Sequence, residues 1–259
     1  MDLKGKRAVV CGGSKGIGKA SALELAKAGA EVIVMSRNED SLSEILASLR
    51  KISSLNHQTI QADSSHPEEA AEKIKTAIGI NPVQILVNNS GGPASGNILE
   101  EAAEKFRIVF NQHLISYHLI AQVLVPGMKS SGYGRIINII STSVKTPIHN
   151  LGVSNTIRWA VAGWAKTMAN ELSKFNITVN NVLPGATKTE RLEEIIQHKS
   201  KLLNVTPAEV EHGLIEEIPM LRFGLPEEVA AAVAFLASPA ASYISGINLP
   251  VDGGRTAAL

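Results

Sequence analysis

The chain is poor in cysteine: Cys11 stands alone among 259 residues, so no internal disulfide can form. Its histidines and acids do not fall in the spacing of a metal-ligand cluster, and no metal is expected. Charge of one sign is lacking as well, with 25 Lys and Arg against 24 Asp and Glu and a formal net charge of +1. A surface that holds nucleic acid or an anionic membrane needs a concentrated basic face, so neither partner is expected. Missing too is any run of the roughly 18 to 20 uninterrupted apolar residues that a membrane span requires. The opening MDLKGKRAVV reads directly into a strand, not into an apolar leader. Together with a lone cysteine in a buried strand, these absences point to the reducing cytoplasm.

What the chain does have is 44% hydrophobic and 19% charged residues, enough for one large core and read as one domain over residues 1–259. Short β-branched runs, RAVVC (7–11), EVIVMS (31–36), TIQA (59–62), QILVN (84–88), RIINII (135–140), ITVNNVL (177–183) and INLPV (247–251), alternate with longer helical patterns. Runs apolar on both faces suit parallel strands covered by helices on each side. The expectation is an α/β fold, a doubly wound parallel sheet of about seven strands with ligands beyond the strands' carboxyl ends. One stretch departs from the alternation. Residues 188–222 form a charged helical insertion in which Thr206 caps a helix and Pro207 takes its first position. Such an excursion reads as a substrate lid or, more plainly, as a solvated helix pair.

CGGSKGIGKAS (11–21) follows the first strand and opens the first helix. Gly12, Gly16 and Gly18 permit a tight turn and a close backbone approach to a pyrophosphate, and the helix N-terminus offers free N–H groups and partial positive charge. Ser14, Lys15 and Ile17 belong to the same loop. The second strand ends in Ser36-Arg37 with no carboxylate, whereas a cofactor lacking a 2′-phosphate is usually held there by an acid. A guanidinium with a hydroxyl beside it, and Lys15 in the loop, imply NADP(H). Against this stands the plain reading that both cations are solvated charges.

These residues resemble the classical short-chain dehydrogenases/reductases, and especially their β-ketoacyl-acyl-carrier-protein reductase branch, over nearly the whole chain. The resemblance implies a Rossmann-fold, NADP(H)-dependent oxidoreductase. GGSKGIG (12–18) is similar to the family's nucleotide loop, with Cys11 in place of a threonine. Asp63, followed by Ser64, resembles the aspartate that contacts adenine, and Asn89, Ser90 and Gly91 fall in a segment similar to the family's NNAG. Pro184, Gly185, Thr187 and Thr189 belong to a stretch like VxPGxxxT, which implies contacts with the nicotinamide. Subunits of the family pair through long helices, which here implies a homotetramer or homodimer built on 101–129 and 152–175.

Where the family's chemistry is expected, the pattern breaks. Ser141 keeps the serine after the fifth strand, but Ser154 stands in the tyrosine's place, Arg158 in the lysine's and His113 in the asparagine's. Tyr117 and Tyr133 are too far along the chain to replace that tyrosine by a shift of register. A serine hydroxyl is a weaker acid than a phenol and too short to reach the same point. Arg158 keeps a permanent charge that can hold the nicotinamide ribose or stabilise a developing oxyanion. His113 and His149 are the candidates to relay a proton, each with the plain alternative of an ordinary hydrogen-bonded histidine. Two readings stand. One is an NADP(H)-dependent oxidoreductase that transfers hydride to or from a small carbonyl or alcohol substrate, with Ser141, Ser154, Arg158, His113 and His149 as catalytic candidates and an altered proton donor. The other is a cofactor-binding sensor or scaffold that no longer turns over.

Overall fold

A computed structural model describes residues 1–258. Each β-branched run becomes a strand: β1 Arg7–Cys11, β2 Glu31–Ser36, β3 Gln58–Gln61, β4 Ile85–Asn89, β5 Gly134–Ile139, β6 Ile177–Pro184 and β7 Asn248–Val251. All pair in parallel, in the order β3-β2-β1-β4-β5-β6-β7. The order reverses between β1 and β4, and the diverging crossovers open a crevice at the strands' carboxyl ends.

Two apolar layers flank the sheet. Helices α1 (Gly16–Lys27), α2 (Glu39–Ile52) and α9 (Pro226–Ala237) cover one face through residues such as Leu25, Ile45 and Val233. Helices α3 (Pro67–Ile78), α5 (Ser116–Ser130) and α6 (Gly152–Leu172) cover the other through Ile74, Leu124 and Ala165. Because crossovers hide both faces, the central strands have no solvent-facing side, which is why apolar and polar residues do not alternate along them.

One polar row crosses the second layer. In the strand register Asn88 lies beside Asn138, Asn138 beside Asn181 and Asn181 beside Asn248. Each amide donates to the next, at 2.8 Å in every case. An amide is tolerated inside a sheet only when paired, so this ladder fixes the sliding register of four strands.

Helix α4 (Ala103–Phe110) runs into α5 through a π-helical turn, Asn111–Ile115. The combined stretch Ala103–Ser130 is long and apolar enough to cross a membrane by length and composition, yet Ile120, Leu124 and Met128 are buried against the sheet. The 188–222 insertion forms α7 (Glu190–Leu203) and α8 (Pro207–Glu216) around a small apolar cluster of Ile196, Val210, Ile218 and Phe223. Thr206 caps α8 in a reciprocal box with Glu209, as the Thr-Pro start predicts.

Candidate active site

The crevice beyond β1, β4, β5 and β6 is a cleft of about 550 Å³, within the usual size of a small-molecule site. One end of it is built by the glycine loop. Gly12 and Gly16 have φ of +57° and +52°, a region that favours glycine. A Cβ on Gly18 would meet the Gly12 carbonyl oxygen at 2.1 Å, so helix α1 can lie against its own loop only without a side chain there. Asn89 braces the loop from β4, its Nδ2 donating to the Gly12 carbonyl at 3.0 Å. No side chain caps α1 and no acid stands in its first turn, which leaves N–H groups and the helix dipole for an anion.

The end of β2 places Ser36 in hydrogen-bond contact with Ser14, 2.7 Å between hydroxyl oxygens. Arg37 is exposed beside them, with Nη1 3.9 Å from the Asp63 carboxylate. Lys15 is differently placed from the sequence reading: its ammonium pairs with Glu190 at 2.8 Å. Glu190 opens α7, and that helix start closes down on the glycine loop. The loop, the free helix end and the exposed guanidinium fit a dinucleotide carrying an extra phosphate.

At the other end stand Ser141, Ser154 and Arg158. Ser141 follows β5, and its Oγ accepts from the Ser143 amide at 3.1 Å. Ser154 and Arg158 lie one turn apart on α6, and the Arg158 Nε donates to the Ser154 Oγ at 3.3 Å. The Nη1 of Arg158 donates to the carbonyls of Ile140 (2.8 Å) and Ile139 (3.4 Å). Arg158 is 8% exposed and has no carboxylate partner among the described residues.

Most sequence candidates meet in this cleft. Gly12, Ser14, Lys15, Gly16, Ile17, Ser36, Arg37, Asp63, Ser64, Asn89, Ser90, Gly91, Pro184, Gly185 and Thr189 line it with the three residues above. Gly18 and Thr187 lie behind its wall, Gly18 under the loop and Thr187 buried with its hydroxyl on the Gly185 carbonyl. Neither histidine lines it. His149 is exposed on the loop before α6. His113 sits in the π-helical turn, 1% exposed; neither ring nitrogen makes a well-formed hydrogen bond among the described residues, although the Gly91 backbone acts on the ring. Burial, and then the Arg158 charge, push its pKa down to about 3 against the Gly91 backbone, so the ring stays neutral and cannot act as an imidazolium acid near neutral pH.

This has a consequence for stability. Unfolded, His113 titrates at the ordinary 6.5, so below that value the unfolded chain binds a proton that the fold refuses. Stability is therefore expected to fall on acidification from pH 6.5 towards pH 3, by up to about 1.4 kcal/mol per unit from this residue. Urea melts across that range should show a shallower decline in His113→Asn than in the parent chain. Equal slopes would mean the imidazole protonates within the fold.

Tyr117, set aside in the sequence because no shift of register reaches it, comes to the site through the fold. Its phenol projects from α5 and donates to Ser90 Oγ at 3.1 Å, and Ser90 in turn donates weakly to the Gln112 carbonyl at 3.4 Å. The ring lies edge-on to His113, centroids 5.9 Å apart. Burial pushes the phenol up to about 12, against the Ser90 hydrogen bond and the Arg158 charge, both of which pull it down. A phenol and a cation thus share the back of the site although they belong to different helices. Arg191, Glu194 and Ile195 were missed; they line the cleft from α7, and Arg191 donates to the Pro93 carbonyl at 3.0 Å. Only the folded position of α7 marks them.

Known proteins match this architecture end to end. The family model described as enoyl-(acyl carrier protein) reductase matches residues 12–256. The 3-oxoacyl-acyl-carrier-protein reductase FabG of Vibrio cholerae is 35% identical, over 98% of each chain. The 7alpha-hydroxysteroid dehydrogenase of Escherichia coli (strain K12) is 32% identical, over 98% of this chain and 95% of its own. Among solved structures, L-sorbose reductase from Gluconobacter frateurii, complexed with NADPH and L-sorbose, superposes with a TM-score of 0.94 at 31% identity, over 100% of this chain and 99% of that one. Matched by that family model over residues 12–256 and by these relatives over nearly its whole length, the chain belongs to the classical short-chain dehydrogenase/reductase family.

Proposed function

We propose that this protein is an NADP(H)-dependent oxidoreductase that reduces a small carbonyl compound or oxidises the corresponding alcohol. The observation that carries the reading is one continuous cleft with the glycine loop and the uncapped α1 N-terminus at one end and Ser141, Ser154 and Arg158 at the other. The glycine loop and the α1 N-terminus would hold the pyrophosphate, and Ser36 and Arg37 the 2′-phosphate. Bound there, the nicotinamide supplies a hydride to the carbonyl carbon and is oxidised as the carbonyl is reduced.

The chain's own part is to stabilise and protonate the oxygen that receives the displaced electron pair. Ser141 offers a hydrogen bond to that oxyanion, and the buried Arg158 charge stabilises it through space. The proton comes from Tyr117 through Ser90: the phenol gives its proton to Ser90 Oγ as Ser90 releases its own towards the substrate. The Arg158 charge, which already pulls the phenol down, steadies the phenolate left behind. The start of α7 acts as a lid, latched to the glycine loop by Lys15 and Glu190 and to the loop after β4 by Arg191. Ile108, Phe110 and Trp159, exposed on α4 and α6, support a homodimer or homotetramer formed on those helices. Free, buried Cys11 accords with a cytoplasmic setting.

The reading is tested by calorimetry with NADPH and NADH, and by following reduced-nicotinamide absorbance with a panel of ketones, diketones and oxo acids. Tighter NADPH binding and turnover of any member are expected. Tight NADPH binding with no turnover across the panel would favour an inert cofactor-binding protein, for which Ser154 in the tyrosine's place is the supporting observation.

A further inference from the structure

Arg158 carries a charge that the protein does not neutralise. Its side chain is more than nine-tenths buried, and burial draws its pKa down, yet its hydrogen-bond partners among the described residues are all neutral: the Ser154 hydroxyl and the Ile139 and Ile140 carbonyls. The carboxylates that line the same cleft are engaged at its rim. Asp63 accepts from the Ser65 amide, Glu190 holds Lys15 and Glu194 holds Arg191. A buried cation without an anion is an expensive arrangement, and proteins retain one where something else brings the opposite charge.

The open edge of the guanidinium points to where that charge arrives. Nε and Nη1 are taken, whereas Nη2 makes no hydrogen bond among the described residues and lies beside Gly92, an ordinary 3.6 Å from a Cβ built there. The neighbouring hydroxyls are set as donors too. Ser154 Oγ already accepts from Arg158 and Ser141 Oγ from the Ser143 amide, so each is free to turn its hydrogen into the cleft. A permanent cation and two hydroxyl donors, with no carboxylate among them, describe a receptor for an oxyanion with two acceptor oxygens.

We propose that the substrate is a short oxo acid whose free carboxylate binds Arg158 Nη2 within one or two carbons of the reacting carbonyl. The proposal rests on the oxidoreductase reading and names its substrate class. It separates this chain from an enzyme for neutral ketones or thioesters, which bring no charge to offset Arg158.

The test is calorimetric. Oxamate, which carries a carboxylate beside an amide carbonyl, and its neutral counterpart oxamide are titrated into the protein alone and saturated with NADP⁺. Oxamate is expected to bind about ten- to a hundred-fold more tightly than oxamide, the range for a hydrogen bond to a charged group. Arg158→Gln should abolish the preference and Arg158→Lys should keep part of it. Equal affinities for the two probes in the parent chain, or no binding of either to a protein that does bind NADP⁺, would overturn the proposal while leaving the oxidoreductase reading intact. Failure of NADP⁺ to bind would instead count against that reading. If Arg158→Gln does not fold, the parent comparison and Arg158→Lys decide between the outcomes.

Discussion

Gly18→Ala is expected to lose measurable NADPH binding and to melt well below the parent chain. The added methyl would stand 2.1 Å from the Gly12 carbonyl oxygen and 2.7 Å from Asn89 Nδ2, and the nearer of these is backbone that cannot swing aside. Relief requires α1 to move off its loop or Gly12 to turn, and both spoil the cradle. Overpacking of this kind costs about 1–3 kcal/mol and sometimes more. For a domain of this size that lowers Tm by roughly 2–12 °C. Gly163→Ala, where no atom lies within 4 Å of the added Cβ, is the control and should raise helix stability slightly. Circular dichroism melts and NADPH titrations of the two variants check both parts. Undiminished NADPH affinity in Gly18→Ala would show that the loop is not the phosphate cradle.

Tyr117→Phe is expected to lower kcat about a hundred-fold or more while KM stays near its parent value, the loss associated with removing a general acid. The phenol is fully buried and does not line the cleft, so a change in substrate affinity is not its signature. Its route to the substrate runs through the 3.1 Å hydrogen bond to Ser90. Removing either member of a relay breaks the whole of it. Ser90→Ala should therefore cost a similar factor, and the double variant little beyond either single one. A multiplicative double variant, or unchanged kcat in Tyr117→Phe, would place the proton source elsewhere. A purely structural role for Tyr117 would lower Tm without this non-additivity.

The fold was legible because parallel sheets write themselves plainly in sequence. The runs at 7–11 and 31–36 are strands at those bounds, and the others agree within about a residue at each end. Buried on both faces, these strands have no polar alternation to confuse them with amphipathic helices. The glycine loop was equally legible, since few residues but glycine accept its positive φ and its closeness to α1. Lys15 was less so. From the sequence it is a cation beside a phosphate loop; in the fold Glu190, 175 positions away, takes its ammonium. His113 shows the limit on chemistry. Its residue type suggests titration near neutrality, but a sealed pocket and a neighbouring guanidinium remove that capacity.

The amino-acid sequence by itself determined the doubly wound sheet and the glycine turn that opens α1, because each is carried by residues close together along the chain. Only the tertiary structure decided which groups share the reacting end: that Tyr117 backs onto Ser90, that Arg158 is buried without an anion and that α7 closes on the glycine loop. The reason is physical. Proton affinity, charge compensation and closure depend on burial and through-space distance, and residues from separate helices acquire both only when the sheet brings them to one edge.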